Sequence, residues 1–314
     1  MTETTAPAAV PARWQDYVEL LKPRVMSLVV FTALTGLACA RTPMNPLLAA
    51  IAILCIAVGA GGSAALNMGF DADIDALMRR TRHRPVPSGR VQRSDALALG
   101  VILSLFSVGL MALATNLLAA GLLAFTIFFY AVVYTLWLKR STPQNIVIGG
   151  LAGALPPVIG WAAASGTTAL NAWLLCAIIF LWTPPHFWAL SLYVKDDYAA
   201  AGVPMLPVVK GARATRRAIL VYSLLLAALA LAPAATGLAG MPYLTVAAAG
   251  GLLFVGFAVR LSLGGDESAV AEGLYQVKGP KAARDLFAFS ILYLFALFAV
   301  LLVERLLGVS ALAL

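Results

Sequence analysis

Nine stretches of roughly twenty mostly apolar residues follow one another along the chain, and they limit what it can fold into more than any motif does. Read as membrane-crossing helices, they run near Val25–Ala40, Pro46–Leu66, Ala96–Ala114, Leu117–Leu138 and Ile146–Ala163. The remaining four lie near Ala172–Ala189, Ala218–Ala235, Tyr243–Val259 and Leu286–Val303, with Pro233 disturbing the end of the seventh. Composition agrees, since 61% of residues are hydrophobic and 11% charged, against about 45–50% apolar in soluble domains. Most connections are short. The chain therefore reads as one all-α integral membrane domain over residues 13–314, behind a tail of residues 1–12. That tail, "MTETTAPAAVPA", has a disordered composition. It lacks the basic start of a signal peptide and the arginines of a transit peptide, which makes a bacterial plasma membrane the expected location.

Basic residues set the orientation. With the N-terminus placed in the cytoplasm and nine spans, 20 of the 22 Lys and Arg residues fall on the inner side, leaving Arg41 and Arg305 outside. An even number of spans destroys this asymmetry. The net charge of +8 thus reports membrane insertion rather than nucleic-acid binding. Cys39, Cys55 and Cys176 fall inside spans without paired spacing and read as small packing residues, not as a disulfide or zinc framework.

The acidic residues are placed unevenly. After the second span comes "NMGFDADIDALMRRTRHRP", with Asp71, Asp73 and Asp75 ahead of a run of arginines; after the sixth come Asp196 and Asp197. Both spans run from outside to inside, so both clusters reach the same face. Asn67, Asp71 and Asp75 are four residues apart, a step that turns about 40° on a helix, so they form one stripe with Asp73 on the far side. A row of carboxylates and a carboxamide is an all-oxygen surface suited to Mg²⁺, which shares itself with substrate phosphates. The bland alternative is a solvated helix end whose aspartates balance the arginines behind them. Charge bordering a membrane interior is costly, however, and marks function by default. Guanidinium groups in "RRTRHRPVPSGR" can clamp phosphate oxygens, although insertion alone also calls for basic residues there.

The second cluster follows "LWTPPHFWALSLY". Pro184 and Pro185 are expected to kink span six, while Trp182, Phe187, Trp188 and Tyr193 supply aromatic surface beside Lys195, Asp196 and Asp197. His186, one of two histidines, reads as a hydrogen-bonded structural residue, an iron ligand or a proton carrier. A diphosphate site beside apolar aromatic walls suits prenyl transfer. Cations stabilise the departing diphosphate, π faces stabilise an allylic cation, and lipid excludes water.

These residues resemble the UbiA superfamily of intramembrane prenyltransferases, and within it the branch that farnesylates haem. The resemblance runs from about Lys22 to Leu302 and rests on "NMGFDADIDALMRRTRHRPVPSG", "TPPHFWAL" and "DDYAAAGVPMLP". It implies nine helices around a central cavity whose cytoplasmic mouth carries both acidic motifs. It implies transfer of farnesyl from farnesyl diphosphate to the 2-vinyl group of haem b, with water addition giving haem O for terminal oxidases. Haem A synthase or oxidase assembly proteins then become candidate partners. By motif match, Asn67, Asp71 and Asp75 hold Mg²⁺ and diphosphate together with Asp196 and Asp197, of which Asp197 is the metal candidate. Arg80, Arg84, Lys195 and Lys22 are diphosphate candidates; His186, Arg24 and Arg284 are haem candidates, with Lys139 and Arg140 as weaker propionate candidates. The superfamily's second DxxxD spacing is missing, since Ala200 and Ala201 stand at that distance. Two alternatives remain: a prenyltransferase acting on an aromatic acid such as 4-hydroxybenzoate, and a cation-coupled transporter. Transporters place such acids near the bilayer midplane on broken helices, whereas these cluster at one face.

Overall fold

The structure, a computed structural model, describes residues 12–263 and 281–312, so nearly all of the tail and Lys278 lie outside it. Among the described residues every regular element is helical. The chain forms α1 (Trp14–Leu20), α2 (Pro23–Cys39), α3 (Pro46–Phe70), α4 (Ala72–Leu77), α5 (Arg93–Ala114) and α6 (Leu117–Phe128). A π-helix over Phe129–Leu138 continues α6 into α7 (Lys139–Ser141). Then come α8 (Asn145–Ala154), α9 (Pro156–Ser165), α10 (Leu170–Tyr193), α11 (Lys195–Ala200) and α12 (Leu206–Val209). The last are α13 (Gly211–Leu229), α14 (Ala232–Ala235), α15 (Met241–Leu263) and α16 (Lys281–Leu306).

Eight described helices are long and apolar enough to cross a membrane, and the bent pair α1–α2 makes nine when counted as one span. The pair turns by 50° at Leu21–Lys22–Pro23. Pro23 disfavours an α conformation at Lys22, which instead adopts φ 51° and ψ 58°, while the proline opens α2. Several helices outrun their apolar stretches. Span two continues to Phe70, and span six covers Leu170–Tyr193. Helical hydrogen bonding carries on into the polar boundary, where hydropathy no longer marks it. Pro184 and Pro185 do not interrupt α10. A helix boundary lies in span five, where Leu155 separates α8 from α9 ahead of Pro156 and Pro157.

The helices pack as a ring in which α2 contacts α3, α3 contacts α5, and α5 contacts α6. Helix α8 lies against the π-helix and α10; α13, α15 and α16 follow, and α16 closes back onto α2. Helix α9 crosses α2 at backbone distance. A Cβ at Gly36 would overlap the Pro157 carbonyl, and one at Gly160 the Ala33 carbonyl. Small residues permit this approach, which is how membrane helices gain dispersion energy without a hydrophobic drive. At the opposite end from the acidic motifs, the buried Glu304 of α16 accepts hydrogen bonds from the Gly240 and Tyr243 N–H groups, each at 2.7 Å. It thereby satisfies free donors at the start of α15. Glu304→Ala leaves both N–H groups without an acceptor and is expected to cost on the order of 2 kcal/mol or more. Thermal unfolding in detergent measures this; an unchanged melting temperature would refute the cap.

Candidate functional site

The site is built at the junction of α3 and α4. Asn67 lies in the last turn of α3, Asp71 caps that helix with φ −88° and ψ 7°, and Asp75 lies in α4. The Asp71 N–H donates to the Asn67 carbonyl at 2.9 Å, and the Asp75 N–H to the Asp71 carbonyl at 2.7 Å. The i to i+4 ladder thus survives the break, and all three side chains are buried. Asp73 faces outward, its side chain 64% exposed.

Each carboxylate meets a cation from another part of the chain. Lys139 Nζ lies 2.6 Å from Asp71 Oδ2, and Arg84 Nη1 lies 2.6 Å from Asp75 Oδ2. Lys22, held at the α1–α2 bend, donates from Nζ to Asn67 Oδ1 at 2.6 Å. Arg140 grips both oxygens of Asp73 at 2.8 Å, donates to the Phe70 carbonyl, and comes within 3.8 Å of Asp71 Oδ1. Its hydrogen bonds hold the Asp73 carboxyl down at about 2. The arginine loop is fixed rather than loose. Thr81 donates to the Asp75 carbonyl, and Arg90 ties the loop to α1 through Asp16 and Glu19.

The two acidic segments meet. Arg79 Nε donates to Asp197 Oδ1 at 2.9 Å. Below this bridge Ile74 and Met78 pack with Tyr198, Val203 and Met205, with Phe187 against the cluster. Burial pushes the Tyr198 phenol up, and Arg80 beside it pulls the other way. Lys195 and Asp196 are exposed. Arg24 is exposed on α2, and none of the ion pairs of the cluster among the described residues includes it.

On α10 and α16 the aromatic residues divide between two roles. His186 lies between the Trp182 ring, 4.2 Å away at 19°, and the Phe287 ring, 4.5 Å away at 23°. Its Nδ1 is 2.6 Å from Ser290 Oγ. That hydroxyl also lies 2.6 Å from the Phe287 carbonyl, and which of Nδ1 and Oγ donates to the other follows from the tautomer. Trp182 Nε1 donates to the Ser290 carbonyl at 2.7 Å. Trp188 instead packs among Ile219, Ala258, Leu261 and Leu286, away from the acidic segments. Arg284 lies over the Tyr193 ring at 5.4 Å.

Oxygen atoms dominate the donor set at Asn67, Asp71 and Asp75, and Asp71 Oδ1 is buried without a hydrogen-bond partner. That orphaned acceptor suits Mg²⁺, which needs one or two carboxylates and takes its other ligands from water and phosphate. No group of three acidic or thiol or imidazole side chains converges among the described residues. The remaining ligands would therefore come from the substrate. Sequence reasoning passed over Arg79, Thr135, Tyr130 and Tyr134, and ranked Lys139 below its place in the site. Asn67 Nδ2 donates to Thr135 Oγ1 at 2.9 Å, and Tyr130 and Tyr134 stack with centroids 5.5 Å apart. Tyr130, Tyr134 and Thr135 belong to the π-helix, whose register has no signature in an apolar stretch.

The chain matches the UbiA prenyltransferase family over residues 29–272. It is 65% identical over 326 aligned residues to a protoheme IX farnesyltransferase of Caulobacter sp. (strain K31), covering 99% of this chain and 94% of that protein. Among solved structures, a digeranylgeranylglyceryl phosphate synthase superposes with a TM-score of 0.74 at 17% identity, covering 93% of this chain and 98% of that one. A UbiA homologue from Archaeoglobus fulgidus bound to GPP and Mg²⁺ gives 0.61 at 15% identity, covering 91% and 99%. At such identities these two show a shared fold.

Removing one member of a buried ion pair leaves the other charged and desolvated, at a cost of about 3–5 kcal/mol. Lys139→Met is therefore expected to lower the melting temperature more than the double variant Lys139→Met with Asp71→Asn. A double-mutant cycle by thermal unfolding checks this; strictly additive losses would contradict the pairing.

Proposed function

Since the chain belongs to the UbiA prenyltransferase family, we propose that it transfers farnesyl from farnesyl diphosphate to the 2-vinyl group of haem b, with addition of water, forming haem O. The observation that carries the reading is the buried Asn67–Asp71–Asp75 row, met by Lys22, Lys139 and Arg84 and joined to Asp197 through Arg79. The choice of haem as acceptor rests on close identity to proteins named for that reaction.

Asn67, Asp71 and Asp75 would hold Mg²⁺, with Asp197 on the facing segment. Mg²⁺ bound there supplies positive charge that stabilises the departing diphosphate. The chain's own cations do the rest of that work. Counting Asp71, Asp73, Asp75 and Asp197 against Lys22, Arg79, Arg84, Lys139 and Arg140, four carboxylates face five cations. Lys22, Arg80, Arg84 and Lys139 can turn from carboxamide, phenol or carboxylate partners to phosphate oxygens, with Lys195 at the rim. Positioning and charge stabilisation are the main catalytic demands when a diphosphate leaves. Phe187 and the Tyr130–Tyr134 stack offer π faces to an allylic cation, and the packed helices keep water from it until the vinyl carbon has attacked. Nε2 of His186, the ring nitrogen not directed at Ser290, is the candidate contact to haem; Arg284, and Arg24 from the rim, are candidates for the propionates.

The concentration of Lys and Arg on the connections at this end supports a site at the cytoplasmic face of a bacterial plasma membrane. The test is direct. Protein in nanodiscs is supplied with haem b, farnesyl diphosphate and Mg²⁺, and extracted haem is weighed by mass spectrometry. A gain of one farnesyl group plus one hydroxyl is expected, the proton leaving with diphosphate, and Asp75→Asn is expected to slow it about 10²-fold or more. Prenylation of 4-hydroxybenzoate with no change in haem would assign the other acceptor. Cation-driven solute uptake with no diphosphate release would make the protein a transporter.

A further inference from the structure

Asn67 is the one member of the oxygen row whose side chain has two chemically different ends. A carboxylate offers a cation an oxygen whichever way it turns; a carboxamide does so only when its NH₂ is directed elsewhere. Here Nδ2 has two acceptors, Asp71 Oδ2 at 2.7 Å and Thr135 Oγ1 at 2.9 Å, while Oδ1 faces the Lys22 ammonium.

The two acceptors differ in kind. Asp71 is charged, carries Lys139, and changes partners if a divalent cation displaces that ammonium. Thr135 is neutral and fully buried, and its hydroxyl proton is already committed. Its Oγ1 donates to the Tyr130 carbonyl at 2.8 Å, five residues back rather than the usual three or four. The π-helix brings that carbonyl under the hydroxyl, since its register runs from i to i+5. With the proton spent on backbone, Oγ1 can only accept, and the group it accepts from is the Asn67 amide.

We propose that Thr135 is a positioning residue: through its bond to the Tyr130 carbonyl it locks the Asn67 carboxamide with Oδ1 turned toward the cation position. The Asn67–Thr135 bond also joins the second span to the fourth, so the amide's orientation is set in part by a helix that carries none of the acidic motif. This rests on the proposed Mg²⁺ role of Asn67 and adds a residue on which that role depends.

The test compares Thr135→Val, which keeps shape and loses the hydroxyl, with Thr135→Ser, which keeps the hydroxyl. Mn²⁺ serves as the metal probe, titrated by electron paramagnetic resonance into protein in nanodiscs holding a non-reactive farnesyl thiolodiphosphate. Thr135→Val is expected to weaken Mn²⁺ binding about 10-fold or more, as loss of an outer partner of a metal ligand commonly does, while Thr135→Ser stays near wild type. The Mg²⁺ concentration giving half-maximal turnover should rise in parallel, with the rate at saturating Mg²⁺ little changed. If Thr135→Val does not fold, Thr135→Ala against Thr135→Ser carries the same comparison. Wild-type affinity in the variant lacking the hydroxyl, or equal weakening in Thr135→Ser, would overturn the inference while leaving the proposed function standing. Wild-type protein that binds no Mn²⁺ would remove both.

Discussion

Charge at the edge of a membrane interior has to be paired, and the pairing at the α3–α4 junction organises this protein. Asp71 is fully buried, a position a carboxylate can hold because Lys139 and Arg140 reach it from the end of the fourth span. Lys22 arrives from the first span through a left-handed backbone, Arg84 from the loop, and Arg79 carries the network across to Asp197. Five separate segments are thus held in register by one cluster. A diphosphate and a divalent cation present the same two signs of charge. On the proposed function, substrate binding would be an exchange of partners within a preassembled set rather than the burial of new charge.

Much of the architecture was legible in the sequence for a simple reason. A membrane-crossing helix closes its own backbone hydrogen bonds and needs only apolar length, so hydropathy alone locates it. The bilayer says nothing, however, about where a helix bends. The pair Pro184–Pro185 leaves α10 continuous, whereas Lys22–Pro23 turns the first span by 50° and Leu155 splits the fifth. A proline's effect depends on whether neighbouring helices can re-satisfy the carbonyls it frees, and that is a property of packing.

The site was legible where it depends on spacing within one segment. Asn67, Asp71 and Asp75 share a face because the i to i+4 ladder persists past the end of α3. Partners contributed by distant segments were not legible. Lys139 and Thr135 lie four residues apart on a span that reads as unremarkable apolar helix, and nothing in that stretch says which segment its polar face meets; the fold turns it toward Asp71 and Asn67. Trp188 shows the opposite limit. It belongs to the same aromatic run as Phe187, yet one residue of helical rotation sends it among α13, α15 and α16.

On the proposed function the cations on the aspartates are exchangeable, with metal and diphosphate arriving as a coupled pair. Calorimetric titration of a non-reactive farnesyl diphosphate analogue into wild-type protein, with and without Mg²⁺, measures that coupling. Affinity is expected to rise about ten-fold or more when Mg²⁺ is present, a coupling of ordinary size for linked sites. Equal affinity in its absence would mean that the carboxylate row has no part in holding the leaving group.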